Sequence, residues 1–408
     1  MIFWLAPMDG ITDCPYRLIV QDIFRQYNNS TSQSAKIPTP QQVTGQAHQL
    51  WTRTEFMSAD GYMINPSRLI KHLIITDDEP DCIAQIYGGN IETLRETVLD
   101  ICEKYPQFAG IELNIGCPSP KVMSCGAWAG MMKDKSYTLE VIKTLSEFST
   151  LPFSIKTRAW LNEDDKERQF SFLVDAIPYC QTITVHARTF KQSHSGDVDR
   201  DYLSRLKAVA GDRCRIIGNG GITSYNDACL RWQNLDGIMI GQAAIGNPWI
   251  FTDHTPDREE IMATARKHLL LMAAYEIYMT HTRELFPEMS DQLMMNRQNL
   301  HLTKKYDPDS DERSDMPPIA RHDYRFPMPT RALLDEYSST IKQFLDNKSD
   351  STWDLQLGTW SINLSHLRTP IEFRKYFYGY VSGIENNKEL KKQLTSAKGM
   401  WEVREVLS

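Results

Sequence analysis

Over the first 250 or so residues, short apolar and often β-branched runs alternate with stretches whose apolar positions recur every three or four residues. That rhythm predicts parallel βα units. Strands are expected at Phe3–Ala6, Arg53–Met57, Cys82–Tyr87, Gly110–Ile115, Phe153–Thr157, Thr182–His186, Arg215–Gly218 and Gly237–Ile240. They are largely apolar, because both faces would be covered. Helices are expected between them, among them Asn90–Tyr105, Thr138–Phe148 and Tyr225–Gln233, the last with Ser224 as N-cap. Eight strands with intervening helices predict an α/β fold, a (β/α)8 TIM barrel over residues 1–251.

Two segments break the pattern. Residues 28–49 are rich in Asn, Ser, Thr and Gln and read as a loop inserted into the first βα unit. After Phe251 strand signals stop, and the boundary is placed near Thr252. Helical patterns follow at Pro256–Met279, Arg331–Leu345, Ser361–Ser382 and Asn387–Leu407, so residues 252–408 are expected to form an all-α C-terminal region. A proline- and aspartate-rich loop, residues 306–329, interrupts it. Its alternating Asp307, Asp309 and Asp311 lack the glycine and terminal glutamate of a calcium loop, so no metal is expected.

Composition narrows the classes without choosing one. A hydrophobic share of 41% and a charged share of 24% suit a soluble globular chain. The eight cysteines include no Cys-x-x-Cys pair or zinc spacing, which points to a reducing, cytoplasmic setting without disulfides. No apolar run is long enough to span a membrane, and nothing implies a stable protein partner. The net charge of −7 argues mildly against a nucleic-acid partner, but residues 366–408 carry eight Lys/Arg against five acids. It is the local field that phosphates feel.

In a barrel the chemistry gathers at the carboxyl ends of the strands. Here those ends carry Pro7-Met8-Asp9, Gln85, Asn114 to Cys117, Lys156 and Arg158, His186 and Arg188, Asn219-Gly220-Gly221, and Gly241-Gln242. The glycine-rich turns after strands seven and eight suit a phosphate held by backbone N–H groups, although either alone could be an ordinary tight turn. Lys156 is costly to bury unpaired inside an apolar strand, and facing the mouth it could stabilise charge on a bound ring. His186 alone would more often be a satisfied core histidine, but beside Lys156 it reads as a proton or hydrogen-bond donor. Cys117 leaves strand four through a Gly-Cys-Pro turn that would present its thiol at the mouth. Cys82, Cys102, Cys180, Cys214 and Cys229 read as small buried hydrophobes, and Cys125 as structural.

Six segments, in order, resemble the tRNA-dihydrouridine synthase family: Leu5–Asp13, Thr54–Met57, Asn114–Val122, Lys156–Arg158, Thr184–Thr189 and Ile217–Ile222. The likeness resumes weakly from Glu372 to Gly383. The resemblance implies an FMN-dependent oxidoreductase that uses NADPH (or NADH) to reduce tRNA uridines to 5,6-dihydrouridine. Hydride would pass from FMN to C6, and Cys117 would protonate C5. It assigns flavin contacts to Pro7, Met8, Asp9, Gln85, Lys156, His186, Asn219, Gly220, Gly221 and Gly241, with Gln242 beside them, and it places Asn114, Arg158 and Arg188 with the substrate. Arg374 and Lys375, interleaved with Tyr376, Phe377 and Tyr378, would meet RNA.

The chain departs from the family pattern at Gln242, where an arginine is usual, and at the bulky Trp128. Two rival readings stay open: an FMN barrel acting on a free pyrimidine, and a tRNA-binding relative that has lost catalysis.

Overall fold

The computed structural model describes residues 2–28, 48–116, 131, 133–160, 163–189, 192, 195–231, 234–285, 325–347, 353–357, 360–384 and 387–408. Cys117, Cys125 and Trp128, nearly all of the 28–49 insertion and most of the 306–329 loop lie outside them.

Nine parallel strands fill eight positions of a closed barrel: β1 (Ile2–Leu5), β2 (Gln49–Arg53), β3 (Met57–Ser58), β4 (Cys82–Tyr87), β5 (Gly110–Asn114), β6 (Phe153–Trp160), β7 (Thr182–Thr189), β8 (Arg215–Asn219) and β9 (Gly237–Ile240). β9 closes onto β1 with Ile2 opposite Gly237. β2 and the two-residue β3 both pair with β4 and share the second position.

This corrects the expected second strand. Its main part lies four residues earlier than the Arg53–Met57 run, and Thr54–Phe56 form a break between β2 and β3. The first βα unit is also intact, because helix α1 (Cys14–Asn28) follows β1 directly. The unusual segment therefore falls between α1 and β2.

Alternation along the strands divides the apolar residues in two. Trp4, Ala6, Ile83, Ile217 and Met239 form a small cluster inside the barrel. Their neighbours Phe3, Leu5, Ala84, Ile86, Ile216, Ile238 and Ile240 point outward into the main core beneath the helices. Capping follows the sequence: Asn90 accepts from the N–H groups of Glu92 (2.8 Å) and Thr93 (3.1 Å) at the start of α2 (Ile91–Lys104). Ser224 Oγ accepts from Asp227 N (3.1 Å) at the start of the Tyr225–Arg231 helix. Cys14, Cys82, Cys102, Cys180, Cys214 and Cys229 are free and buried. Burial pushes the Cys82 thiol up to about 11 and that of Cys214 to about 12. Cys82, Cys102, Cys180, Cys214 and Cys229 pack as small hydrophobes, as expected, while the Cys14 thiol donates to Glu79 Oε2 (3.6 Å).

The C-terminal region is helical with one addition. Asp354–Leu357 and Trp360–Asn363 pair as an antiparallel hairpin where a helix had been expected to begin. The remaining helical pattern condenses to the tail helix, Thr369–Tyr380. The expected Asn387–Leu407 helix is two helices, Asn387–Ser396 and Met400–Leu407, separated at Lys398-Gly399. The long helix Arg258–Leu285 packs against α1, the Arg331–Asn347 helix and the tail helix. It is apolar around most of its girth because it has neighbours on several sides. Among the described residues no helix is long and apolar enough to cross a membrane.

No solvent layer separates the two regions: one hydrophobic cluster runs from the barrel helices into the tail. Tyr376 Oη donates to Ile11 O (2.7 Å), Tyr16 Oη donates to Ala244 O, and Tyr380 Oη meets His268 Nδ1 at 3.2 Å. His268 is wholly buried among aromatic rings. Burial, with Lys375 nearby, lowers its pKa to about 3 and keeps the imidazole neutral.

Candidate active site at the carboxyl ends of the strands

Strand register places the inward-facing residues in rows. Asn114 of β5 lies opposite Lys156 of β6, which lies opposite Thr184 of β7. One step nearer the mouth, Arg158, His186 and Asn219 are successive neighbours on β6, β7 and β8. β6 and β7 run longer than expected, to Trp160 and Thr189, with an irregularity between Arg158 and Trp160. Arg158 and Arg188 therefore leave strand edges and not loops.

Each of these side chains is held. Arg158 is 3% exposed and donates to Thr189 O (3.1 Å). Arg188 donates to Gly196 O (2.9 Å) and lies 3.4 Å from His186 Nε2. Burial lowers the Arg188 pKa, partly offset by Asp197. Asn219 Nδ2 donates to Met239 O (2.8 Å) across the strand gap. Lys156 is half-buried. Three cationic side chains thus converge on one side of the mouth, an arrangement that favours an anionic ligand.

The glycines beside them have a steric reason. Gly220 has φ +109°, and a Cβ there would lie 2.6 Å from His186 Cδ2. Only glycine allows the chain to fold over the histidine at this point. Gly221 also has positive φ, +70°. A Cβ on Gly241 would reach Ala6 Cβ at 3.4 Å and Met8 Sδ at 3.8 Å, so this turn meets the Pro7–Asp9 loop. Gln242 begins a 3-10 turn, Gln242–Ala244, and is exposed. Asp9 is also exposed, while Pro7 and Met8 are half-buried.

Gln85 is completely buried. Its Nε2 donates to Glu112 Oε1 (2.6 Å), and its Oε1 accepts from Asn114 Nδ2 (3.1 Å). Asn114 Oδ1 accepts from Gly116 N (3.1 Å). Gly116 itself has no room for a side chain: a Cβ would lie 2.6 Å from Arg158 N. The backbone leading to Cys117 is therefore pressed against the β6 strand end.

The two tail cations separate. Arg374 donates to Ala397 O, at the end of the Asn387–Ser396 helix. Lys375 leans toward the barrel, its Nζ 3.8 Å from where a Gly10 Cβ would be and 3.3 Å from Glu372. On the same helix Phe373, Tyr376, Phe377 and Tyr380 are buried, while Tyr378 is 44% exposed. Phe377 does turn inward, as its spacing predicts.

Several residues at the mouth escaped sequence reasoning. Glu55 accepts from Gly10 N and lies 3.5 Å from His72 Nδ1. Burial raises its pKa, but His72 and the Gly10 N–H outweigh this and hold it below the usual carboxylate range. Asp13 caps α1 by accepting from Tyr16 N (3.0 Å). Burial and the nearby Glu55 push it up to about 7, against the pull of Lys375 and Arg17. Arg53 and Glu112 form a wholly buried pair at 2.6 Å. The available signal was a charged residue within each of two barrel strands, Arg53 at the end of β2 and Glu112 in the middle of β5.

Comparison with known proteins finds relatives along most of the chain. A probable tRNA-dihydrouridine synthase of Helicobacter pylori (strain 26695) is 28% identical over 307 residues, 74% of this chain and 82% of the relative. One from Rickettsia conorii is 29% identical over 259 residues, 61% and 69% of the two chains. tRNA-dihydrouridine synthase B of Pseudomonas syringae pv. tomato is 26% identical, covering 61% and 66%. Among solved structures, a mandelate oxidase with benzoyl-formic acid overlaps at 14% identity and TM-score 0.33, covering 59% of this chain and 64% of that one. The family model described as dihydrouridine synthase matches residues 4–311, and the chain belongs to that family.

Proposed function

We propose that this protein reduces uridines in tRNA to 5,6-dihydrouridine, with FMN as cofactor and NADPH (or NADH) as electron donor, in the cytoplasm. The observation that carries the reading is the row Arg158–His186–Asn219, with Lys156 just below it and the Gly220-Gly221 turn folded over His186.

The residues present fit FMN. The Gly220-Gly221 and Gly241 turns, with no side chain to block close approach, would bring a phosphate to the backbone, with Arg188 on the neighbouring strand end. Lys156 lies at the centre of the mouth with the buried amides of Asn114 and Gln85 beside and beneath it, where a flat, polar-edged ring would lie. The chemistry FMN supplies when bound is hydride transfer, from NADPH to the ring and from the ring to C6 of uracil.

The chain's own residues do the rest. Lys156 would supply a positive charge beside the bound ring. Asn114 and Arg158 orient the uracil. Cys117 donates a proton to C5, and a thiol of ordinary pKa, about 8.5, is mostly protonated at neutral pH and suited to act as an acid. Lys375, at the lip above Gly10, meets a phosphate of the incoming RNA.

The test is spectroscopic. Purified protein should be yellow or become so with added FMN, and the flavin absorbance should bleach on anaerobic addition of NADPH. A protein that stays colourless after FMN is supplied contradicts the reading.

A further inference from the structure

A charged crossbar closes the barrel just beneath the candidate site. Arg53 of β2 reaches across the interior. Its Nε donates to Glu112 Oε1 (2.7 Å), while Nη2 donates to Glu112 Oε2 (2.6 Å) and Thr184 Oγ1 (3.2 Å). The guanidinium stacks over Trp4, 4.3 Å from the ring centre. Arg53 and Glu112 are both 0% exposed.

A carboxylate only accepts hydrogen bonds. Glu112 therefore compels Gln85 to turn its NH2 group downward, and the Gln85 oxygen is left facing Asn114. That oxygen in turn compels Asn114 to present its NH2 group, and the Asn114 oxygen is left for Gly116 N. The bonds run Gly116 N to Asn114 Oδ1 (3.1 Å), Asn114 Nδ2 to Gln85 Oε1 (3.1 Å) and Gln85 Nε2 to Glu112 Oε1 (2.6 Å). Two amides that could each face either way are given one sense from both ends, by the Glu112 carboxylate, which only accepts, and by the Gly116 N–H, which only donates. The chain of bonds ends on the residue before Cys117.

We propose that the Arg53–Glu112 pair is a positioning device for this site. It fixes the sense of the Gln85 and Asn114 amides at the floor of the site, and it anchors Gly116, the residue before Cys117. The proposal rests on the functional reading above. Glu112 touches no reactant; it acts through Gln85 and Asn114. An apolar pair of equal volume could fill the same space and fold as well, because burying two charges is seldom the more stable choice. What apolar residues could not do is accept from the Gln85 NH2 group and so hold that end of the chain of bonds.

The test compares wild type with the double variant Arg53→Met/Glu112→Leu, which leaves no unpaired buried charge. A single Glu112→Gln variant would strand Arg53 and could fail to fold, so the double variant carries the argument. Its melting temperature should be close to wild type. Its FMN affinity, measured by quenching of flavin fluorescence, should fall at least tenfold, and turnover should fall with KM for tRNA little changed.

A second readout needs no FMN. In full-chain protein labelled with 15N-glutamine, the Gln85 side-chain amide, assigned by its loss in Gln85→Leu, should be displaced by its carboxylate bond. In the double variant it should return among the other glutamines. A folded double variant with wild-type FMN affinity, or a Gln85 signal that does not move, overturns the proposal. Failure of wild type to bind FMN would instead count against the functional reading, while the amide signal still decides the positioning claim.

Discussion

Gly246 and Gly379 meet backbone to backbone. A Cβ on Gly379 would overlap the carbonyl oxygen of Ile245, and one on Gly246 would overlap that of Tyr376. Gly246 also has φ +63°, a conformation that other residues adopt only with strain. The contact joins the tail helix to the loop that follows the Gly241-Gln242 turn, so the helix is seated by the barrel itself. Gly379→Ala should destabilise the protein by roughly 1–3 kcal/mol, the usual range for overpacking a tight contact. Thermal unfolding measures this, and a melting temperature equal to wild type would show that the contact is not tight.

Asp13 lies at the same joint and gives it a pH dependence. Burial and Glu55 raise its pKa to about 7, against an unfolded value of about 3.9. The native state then binds more protons than the unfolded state between those two values, so this group makes stability fall as pH rises from about 4 through 7. Asp13→Asn should flatten that part of the profile, raising stability at pH 8 relative to wild type and changing little at pH 4. Denaturant unfolding at a series of pH values checks it, and an unchanged slope in the variant would contradict it.

How far the sequence foretold this molecule depends on which residues carried a pattern. β4, β5, β8 and β9 were legible because their apolar runs are bounded by Gly, Pro or capping residues. β2 was not, because Gln49, Thr52 and Arg53 place polar groups on a strand, while apolar Phe56 lies in the break that follows it. The hairpin carried a signal that was passed over: Asp354-Leu355-Gln356-Leu357 alternates with period two, and Leu355 is buried. At the candidate site, the strand-end residues stand out in the sequence by their chemistry, as polar or small residues closing apolar runs. The Arg53–Glu112 pair does not, since a charged residue in a strand reveals its partner only when the barrel closes.

The tail cations should behave differently from each other, although adjacency in sequence had suggested a shared role. Arg374 donates to Ala397 O at a helix end, so Arg374→Ala should lower stability by roughly 1 kcal/mol or somewhat more, as loss of a charged hydrogen bond does. Lys375 lies at the mouth, and Lys375→Ala should weaken tRNA binding and reduce its salt slope by about 1. Binding titrations at several salt concentrations measure this. An unaltered salt slope in Lys375→Ala would remove that residue from the RNA interface.

Cys117→Ala should retain FMN and the oxidation of NADPH while uridine reduction falls by roughly 100- to 10,000-fold, the range expected for loss of a general acid. Cys125→Ala should be close to neutral. Rates of the two half-reactions, measured separately, distinguish these outcomes; an inactive Cys125→Ala beside an active Cys117→Ala would reverse the assignment.

The most direct measurement is the product itself. Unmodified tRNA transcripts incubated with the purified protein, FMN and NADPH should gain dihydrouridine at defined positions, read by mass spectrometry of digested RNA. Wild type should form it and Cys117→Ala should form almost none. A protein that binds FMN and oxidises NADPH yet leaves every tRNA uridine unreduced would contradict the account.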